Sequence, residues 1–329
     1  MKKLISGIKP TGELTLGNYL GALKNFIDLQ NDYEAYYFVA DLHALTTGDN
    51  DPKELAKARK DVVALYLACG LDPNKSSIFY QSQVMEHGMI QWLLTNETTL
   101  GELNRMTQFK DKSQKALKQG NGTESIPTGL LMYPTLMAGD ILLYNADVVP
   151  VGEDQTQHVE LTRNIARRVN NKYKTNLKVP EAFVPKVGSR IKDLQEPTKK
   201  MSKSDRTSKG TIYLLEDPQQ AYKKILKAVT DSEGKVYASE EKPGVTNLLN
   251  IYASLKSITL QEAQEYFKEH NYKEFKEEVA LEVKNLLEDI QQKYKLALEM
   301  IEEVTHQGAK KASVIASQTL QELMKKMGF

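Results

Sequence analysis

A glycine-containing segment after the first predicted strand has the composition of a phosphate-binding turn. Residues 4–8 form an apolar run that predicts a β-strand, and two glycines, one of them Gly17, precede an amphipathic helix over 18–29. Glycines at such a turn let a ligand approach the backbone closely, and the first N–H groups of the helix attract anions. Thr15 and Asn18 add polar side chains for the same anion. A capped turn without a ligand would look the same, so this segment alone leaves both interpretations open.

A second candidate segment is the basic run between residues 197 and 205. Three lysines and two serines lie within six residues, next to a proline. A cationic loop of this kind can stabilise the charge on a transferring phosphate or a leaving pyrophosphate. A solvated basic turn would carry a similar charge. One string within the run is far more specific than its charge: Lys200-Met201-Ser202-Lys203-Ser204.

Several common functional classes are excluded by missing patterns. The sequence contains neither Gly-x-Gly-x-x-Gly nor Gly-x4-Gly-Lys-Ser/Thr, so the usual dinucleotide fingerprint and the P-loop are both absent. There is no Gly-x-Ser-x-Gly elbow of a serine hydrolase. The single cysteine, Cys69, rules out a disulfide framework, and no Cys/His cluster has zinc-finger spacing. The first residues lack the long apolar run of a signal peptide and no membrane segment is predicted, so we expect a cytoplasmic protein.

The elements that must position these segments alternate between strands and helices. Apolar runs at residues 35–40, 77–80 and 147–151 predict further strands, with helices over 52–68 and 156–170 and a helix–hairpin section reaching about residue 140. This order predicts a doubly wound, Rossmann-like parallel sheet of the α/β class.

Chain length and composition indicate a second, smaller domain. The 329 residues are 40% hydrophobic and 26% charged, which fits two domains of ~150 residues each. From Pro218 onward nearly all of the sequence has a helical pattern, with a final helix over about 309–327. We therefore expect a catalytic domain over residues 1–204, a helical domain over 205–290, and a return to the first domain within 291–329.

The two candidate segments, in this order, resemble those of the class I aminoacyl-tRNA synthetases, and most closely those of the bacterial tryptophanyl-tRNA synthetases. Thr15-Leu16-Gly17-Asn18 stands where most of the class has His-x-Gly-His, and the terminal Asn is typical of the tryptophan enzymes. The resemblance runs from residue 5 to about 255. Further matching strings are GEL at 101–103, MTQFKDKS at 106–113, DILLY at 140–144, GEDQ at 152–155, HVELTR at 158–163 and TDS at 230–232.

The resemblance implies two sets of ATP contacts. Phosphates would bind at the first segment, and Lys112, in the predicted polar hairpin, would act with Lys200 and Lys203 on the triphosphate and the leaving pyrophosphate. Thr15 and Asn18 complete the implied catalytic set. The implied nucleotide-binding residues are Lys9, Pro10, Thr11, Gly17, Asn18, Gly152, Glu153, Asp154, Gln155, Ile191, Lys200, Met201, Ser202, Lys203 and Ser204.

The resemblance also implies a tryptophan pocket with Asp140 on its floor. An indole N–H only donates, so a carboxylate can accept from it directly, and a site built on such a pair rejects analogues that lack the donor. The other implied pocket residues are Met137, Tyr133, His43, Ile5, Ala40 and Gln155. His158 could equally be an ordinary surface histidine of a helix, and we expect His87 to be structural or solvated.

The implied reaction is attack of the tryptophan carboxylate on the α-phosphorus of ATP, followed by transfer of the acyl group to tRNA(Trp). Neither step needs a side-chain nucleophile. Mg²⁺ would accompany ATP, held by phosphate oxygens and water rather than by a protein metal site. The implied assembly is a homodimer. A tyrosine-activating relative and a non-catalytic tryptophan- or RNA-binding paralogue are the alternatives, although the tyrosine enzymes have His-x-Gly-His and Gly-Gly-Ser-Asp-Gln, which are absent here.

The overall charge conceals a local excess. Lys and Arg number 44 against 43 Asp and Glu, a net charge of +1. Residues 163–203 nevertheless hold twelve basic against three acidic side chains, while residues 260–304 hold twelve acidic against six basic ones. A near-neutral total is therefore compatible with an RNA partner that is attracted locally.

Overall fold

The centre of the protein is a five-stranded parallel β-sheet with strand order β3-β2-β1-β4-β5. The computed structural model describes residues 1–47, 51–118, 126–184, 191–201 and 209–329. The strand order reverses between β1 and β4, which is the doubly wound arrangement that the sequence predicts. The strands are β1 (Lys3–Ile8), β2 (Glu34–Val39), β3 (Ser76–Tyr80), β4 (Val148–Pro150) and β5 (Glu181–Phe183).

Helices connect these strands and cover both faces of the sheet. The chain after β1 forms one helical run, with a π-helical turn at Tyr19–Leu23 between α1 and α2. Asp51 caps the start of α4 through the N–H groups of Lys53 and Glu54, and Gly70 ends it with φ of 115°. The helices are α1 (Leu16–Asn18), α2 (Lys24–Leu29), α3 (Asp41–Ala44), α4 (Pro52–Cys69), α5 (Glu86–Thr95), α6 (Leu100–Asn104), α7 (Thr107–Lys118), α8 (Thr128–Leu142) and α9 (Thr156–Tyr173).

The second strand shows why a continuous apolar run predicts a strand buried on both faces. Tyr37 and Val39 pack into a hydrophobic core on one face of the sheet, and Tyr36 and Phe38 pack into a separate core on the other. Because successive side chains of a strand point to opposite faces, every one of these positions must be apolar or aromatic.

The C-terminal part of the chain is helical, as its sequence pattern predicts. Helix α13 packs against both α10 and α4, so the core of the helical part continues into one core of the sheet. No helix of the described residues is long and apolar enough to span a membrane. The helices are α10 (Pro218–Leu226), α11 (Pro243–Lys256), α12 (Leu260–Phe267), α13 (Tyr272–Ala297) and α14 (Ile301–Met327).

The structure differs from the sequence-based expectations at three places. Lys112, which the sequence places in a polar hairpin, lies in α7, whose Gln, Lys, Ala and Leu residues favour helix. The polar loop predicted over 118–123 lies outside the described part of the chain after residue 118. The last helix begins at Ile301 rather than near Ala309. Strand β5 was not predicted, and its three residues are all exposed, so it has no apolar pattern.

Helix α14 lies directly on the backbone of β3. A Cβ atom added to Gly308 would stand 1.9 Å from the carbonyl oxygen of Ile78, closer than any real contact. Gly129 of α8, by contrast, is exposed, and a Cβ atom there would lie 3.8 Å from the nearest atom, an ordinary contact. The absence of a side chain at Gly308 therefore allows the C-terminal helix to cover the edge strand.

We predict that Gly308→Ala lowers the free energy of unfolding by about 1–3 kcal/mol, because the added methyl group forces α14 away from β3. Gly129→Ala is the matched control, and it should raise the free energy of unfolding by about 0.5–1 kcal/mol, since alanine favours an exposed helix. Urea denaturation of both variants measures this difference. Equal effects of the two substitutions would contradict the close packing.

Candidate active site

A crevice opens where strands β1 and β4 separate. The two strands pair at Leu4 and Val148 only, and Ser6 Oγ then donates to the carbonyl oxygen of Pro150 at 3.0 Å. Beyond this point the carboxyl ends of the strands diverge, at the position where the strand order reverses. Ligands of doubly wound sheets bind at this place.

A cavity of about 160 Å³ lies in this crevice. Engineered cavities of about 150 Å³ hold a benzene ring, so the space suits an aromatic side chain. Nine residues that the sequence predicts for the site line it: Ile5, Lys9, Ala40, His43, Lys112, Tyr133, Met137, Asp140 and Gln155. The lining residues that sequence reasoning missed are Ser6, Gly7, Phe38, Thr46, Gln108, Ile141, Val149, Pro150 and Val151.

Asp140 lies at the floor of the cavity with 2% of its surface exposed. His43 Nε2 lies 2.8 Å from its Oδ2 atom, while Gln81 Nε2 and His87 Nδ1 lie 2.7 Å and 2.6 Å from Oδ1. These three donors come from α3, from the turn after β3 and from α5. The sheet therefore brings residues that are far apart in the chain around one carboxylate.

The Asp140 carboxyl is ionised despite its burial. Burial raises its pKa, but the hydrogen bonds from His43 and His87 outweigh this effect and hold the pKa at about 2. An ionised carboxylate only accepts hydrogen bonds. The floor of the cavity thus presents an acceptor to whatever ring enters it.

His87 supports the carboxylate at the floor of the cavity. We expected a structural or solvated histidine, and it is buried with 0% exposure; its two ring nitrogens contact Asp140 and the hydroxyl of Tyr144, a pairing that the sequence did not predict. These partners lie 53 and 57 residues away in the chain. No spacing pattern in one sequence reveals such a pair, and Gln81 was missed for the same reason.

His158 is also buried rather than on the helix surface. It is 1% exposed, and its Nε2 atom lies 2.6 Å from the hydroxyl of Tyr133, a cavity residue. Burial lowers the pKa of His158 to about 4, so the ring is neutral near pH 7. Its Nδ1 atom has no hydrogen-bond partner among the described residues. Tyr133 also contacts Gln108, whose amide nitrogen reaches Asp154 at 3.2 Å.

Two lysines form the cationic wall of the cavity. Lys9 Nζ lies 3.3 Å from Thr46 Oγ1, and Lys112 Nζ lies 5.9 Å from the centre of the Tyr133 ring. Burial, and secondarily the charge of Lys112, lower the pKa of Lys9 to about 8. Two positive charges held close together favour an anionic ligand between them.

A smaller cavity of about 80 Å³ adjoins the first one and shares Gln155 with it. Gly152 lines it from the loop after β4, and Gly21 and Asn25 line it from the helical run after β1. The predicted residues Glu153 and Asp154 are exposed in the same loop and line neither cavity. The smaller cavity lies between the two segments that the sequence predicts for adenosine and phosphate binding.

The first candidate segment forms a capped helix start. The Thr15 hydroxyl accepts from the Asn18 N–H group at 3.2 Å, and the Asn18 side-chain oxygen accepts from the Thr15 N–H group at 3.0 Å. Thr15 is fully buried, so its side chain serves the cap rather than the cavity. The predicted Pro10 and Thr11 lie in the turn before it and line neither cavity.

The two candidate segments meet at Gly17. A Cβ atom at this position would lie 3.6 Å from the Cβ atoms of Ile191 and Met201, both of which are buried. The N–H group of Met201 donates to the carbonyl oxygen of Ile191 at 3.0 Å, which closes a short antiparallel turn with Lys200 exposed on it. The remaining predicted residues of this loop lie outside the described part of the chain: Ser202, Lys203 and Ser204.

Comparison with known proteins places this site in a family. The family model of class I tRNA synthetases for tryptophan and tyrosine (W and Y) matches residues 1–288. A tryptophan–tRNA ligase of Mycoplasmopsis pulmonis is 58% identical over 327 residues, which cover 99% of this chain and 98% of that protein.

Solved structures agree with the sequence comparison. The crystal structure of tryptophanyl-tRNA synthetase from Mycoplasma pneumoniae superimposes with a TM-score of 0.93 at 42% identity, covering 100% of this chain and 98% of that one. That of the Campylobacter jejuni enzyme complexed with ADP and tryptophan has a TM-score of 0.80 at 32% identity, covering 99% and 100%. The chain belongs to the class I tRNA synthetases of the tryptophan and tyrosine family.

Proposed function

We propose that this protein is a tryptophan–tRNA ligase: it activates L-tryptophan with ATP and transfers the tryptophanyl group to the 3′ end of tRNA(Trp). The ionised Asp140 carboxylate at the floor of a ring-sized cavity is the observation that carries the choice of amino acid. The relatives with high identity over the full chain are named for this activity. We place the reaction in the cytoplasm, where bacterial translation takes place.

The proposed tryptophan site uses the inner part of the cavity. The indole N–H would donate to Asp140, and the ring would lie against Met137, whose polarisable sulfur favours aromatic contacts. Ile5 and Ala40 would form the apolar wall. Tyr133, His43 and Gln155 would complete the pocket at its polar side.

The proposed ATP site uses the outer part of the cavity and the adjoining smaller one. Lys9 and Lys112 would bind phosphate oxygens, together with the helix start at Gly17 and Asn18. Lys200 and Lys203 would stabilise the leaving pyrophosphate, with Ser202 and Ser204 in the same loop. Adenosine would lie against the remaining predicted residues: Pro10, Thr11, Gly152, Glu153, Asp154, Gln155, Ile191 and Met201.

Activation requires placement rather than a side-chain nucleophile. The tryptophan carboxylate oxygen forms a bond to the α-phosphorus while the bond from this phosphorus to the pyrophosphate oxygen breaks. The lysines neutralise the charge that develops on the departing group. Mg²⁺ would enter with ATP, held mainly by phosphate oxygens and water rather than by a protein metal site.

The transfer step requires tRNA to reach the same crevice. We assign residues 1–204 to the catalytic domain, 205–290 to a helical domain that binds the anticodon, and 291–329 to a return to the catalytic domain. Helix α14 packs on β3, which supports the return of residues 291–329 to the catalytic domain. The excess of basic side chains between residues 163 and 203 supplies the local attraction for tRNA phosphates.

We propose that the protein is a homodimer and that the exposed face of α5 forms its interface. Met85, Met89 and Trp92 follow each other at helical spacing and are 81%, 46% and 65% exposed. Leu100 of α6 adds a further exposed apolar side chain, at 63%. Large exposed apolar side chains grouped in this way are typical of a protein interface, and a symmetric dimer covers them with the same surface of a second copy.

The alternative functions make different predictions for one assay. We expect pyrophosphate exchange that depends on tryptophan and is at least about 100-fold weaker in kcat/KM with tyrosine, because tyrosine does not fill the indole site. Exchange stimulated by tyrosine but not by tryptophan would replace the proposed substrate. No exchange with either amino acid, combined with tight tryptophan binding, would indicate a non-catalytic paralogue.

We predict that Lys9→Gln removes a pH dependence of ATP binding. With its pKa at about 8, Lys9 is mostly protonated at pH 7 and mostly neutral at pH 9. The wild-type affinity for ATP should therefore fall by up to about tenfold across this range, and the affinity of the variant should not. Lys2→Gln, at an exposed position outside the site, is the matched control and should keep the wild-type profile. Identical profiles for wild type and Lys9→Gln would exclude a charged Lys9 as a phosphate ligand.

We predict that Trp92→Glu shifts the protein from a dimer to a monomer of 37.1 kDa, because a buried unpaired carboxylate is costly at an interface. Light scattering after size-exclusion chromatography measures the mass directly. Tyr266→Glu changes another exposed aromatic residue, on α12, and should leave the dimer intact. A wild-type protein that is already monomeric, or a dimer that survives Trp92→Glu, would refute this interface.

A further inference from the structure

We infer that His87, which lies behind the cavity and does not line it, is a positioning residue that fixes Asp140 as a pure hydrogen-bond acceptor and thereby selects rings with an N–H group. This inference rests on the proposed function and deepens it. It concerns discrimination between tryptophan and an isosteric ring that carries an acceptor atom in place of the N–H group. Benzofuran, with a ring oxygen, is such an isostere of indole.

The two carboxylate oxygens of Asp140 accept different numbers of hydrogen bonds. Oδ1 receives hydrogen bonds from Gln81 Nε2 at 2.7 Å and His87 Nδ1 at 2.6 Å, and a carboxylate oxygen accepts about two. Oδ2 receives one, from His43 at 2.8 Å. Of the described residues that bond to Asp140, only His43 lines the cavity. The remaining acceptor capacity of Asp140 is therefore on Oδ2, the oxygen bonded to the cavity residue.

Hydrogen bonds and packing hold the His87 ring in one orientation. Its Nε2 atom lies 2.9 Å from the Tyr144 hydroxyl, which donates to it in the neutral ring, so that Nδ1 carries the hydrogen and faces Asp140. Phe38 and Phe79 pack beside the ring with centroid distances of 5.9 Å and 6.4 Å. The ring is fully buried and has both nitrogens engaged, so it holds the donor in one place.

The side chains around Asp140 stabilise its charged form. Among the described residues, the side chains that face its carboxylate with hydrogen bonds are His43, Gln81 and His87, and all three act as donors. If the bound ring carried a hydrogen-bond acceptor atom instead of the N–H group, the lone pairs of this atom would face those of Oδ2. An amino acid with such a ring would therefore bind weakly. Loss of the His87 donor removes one of the groups that hold the proton off this buried carboxyl. A protonated Asp140 could then donate to a ring acceptor.

The experiment compares two amino acids in wild type and in His87→Phe. Pyrophosphate exchange is measured with tryptophan and with its benzofuranyl analogue, and the ratio of their kcat/KM values is the readout. We expect this ratio to fall by about tenfold to a hundredfold in the variant, the size of one hydrogen bond to a charged group. The KM for tryptophan should rise, while the KM for ATP should stay unchanged. A purely structural role of His87 would lower both activities and leave the ratio unchanged.

Matched variants separate the donor from the packing. His87→Asn carries an amide that can donate from near the Nδ1 position, and it should recover most of the discrimination. Phe79→Leu disturbs the same core without removing a donor to Asp140, so it should lower stability but not the ratio. In His87→Gln the amide lies one methylene farther from the backbone than the Nδ1 position, so this variant should also show the lowered ratio. It replaces His87→Phe in the experiment if the phenylalanine variant does not fold.

The outcomes distinguish this inference from the proposed function. Absence of tryptophan-dependent exchange in the wild type would refute the function itself. Normal wild-type exchange with an unchanged ratio in both His87→Phe and His87→Gln would overturn the role of His87 alone. An equal fall of the ratio in Phe79→Leu would assign the effect to packing and would also overturn it.

Discussion

The site depends on one buried carboxylate that must stay charged. Removing a carboxylate from water is costly unless hydrogen bonds replace the lost hydration. Asp140 on α8 meets this requirement through His43 on α3, Gln81 after β3 and His87 on α5. His43 follows β2 and Gln81 follows β3, and the parallel sheet brings the carboxyl ends of these two strands to one edge. The fold and the chemistry of the pocket are therefore linked through the same set of hydrogen bonds.

A second set of contacts brings the two candidate segments together. Ile191 and Met201 lie against Gly17, so the base of the lysine loop packs on the helix start that follows β1. The segment after this loop pairs with the first one as well, since the Leu16 N–H group donates to the carbonyl oxygen of Ile212. The two segments thus form one packed unit. A reaction that needs in-line placement and charge stabilisation is well served by two rigidly packed loop bases.

Much of the fold could be predicted from local sequence, because the determinants are local. The continuous apolar run of β2 and the cap at Asp51 specify their elements through neighbouring residues. The candidate pocket residues were predicted from strings that resemble a family, whereas the phosphate-binding turn and the basic segment were also predicted from their residue types. His87, Gln81 and the burial of His158 were missed because their partners lie in distant parts of the chain. Long-range hydrogen bonds leave no periodic signal in one sequence.

The proposed choice of amino acid depends on one contact: Asp140 Oδ2 accepts a hydrogen bond from the indole N–H group of tryptophan. A crystal structure of this protein with bound tryptophan tests it most directly. We expect the indole nitrogen within about 2.7–3.2 Å of Asp140 Oδ2, with the bonds from His43, Gln81 and His87 unchanged. An indole ring turned so that its nitrogen points away from Asp140, or bound outside the cavity, would contradict the account.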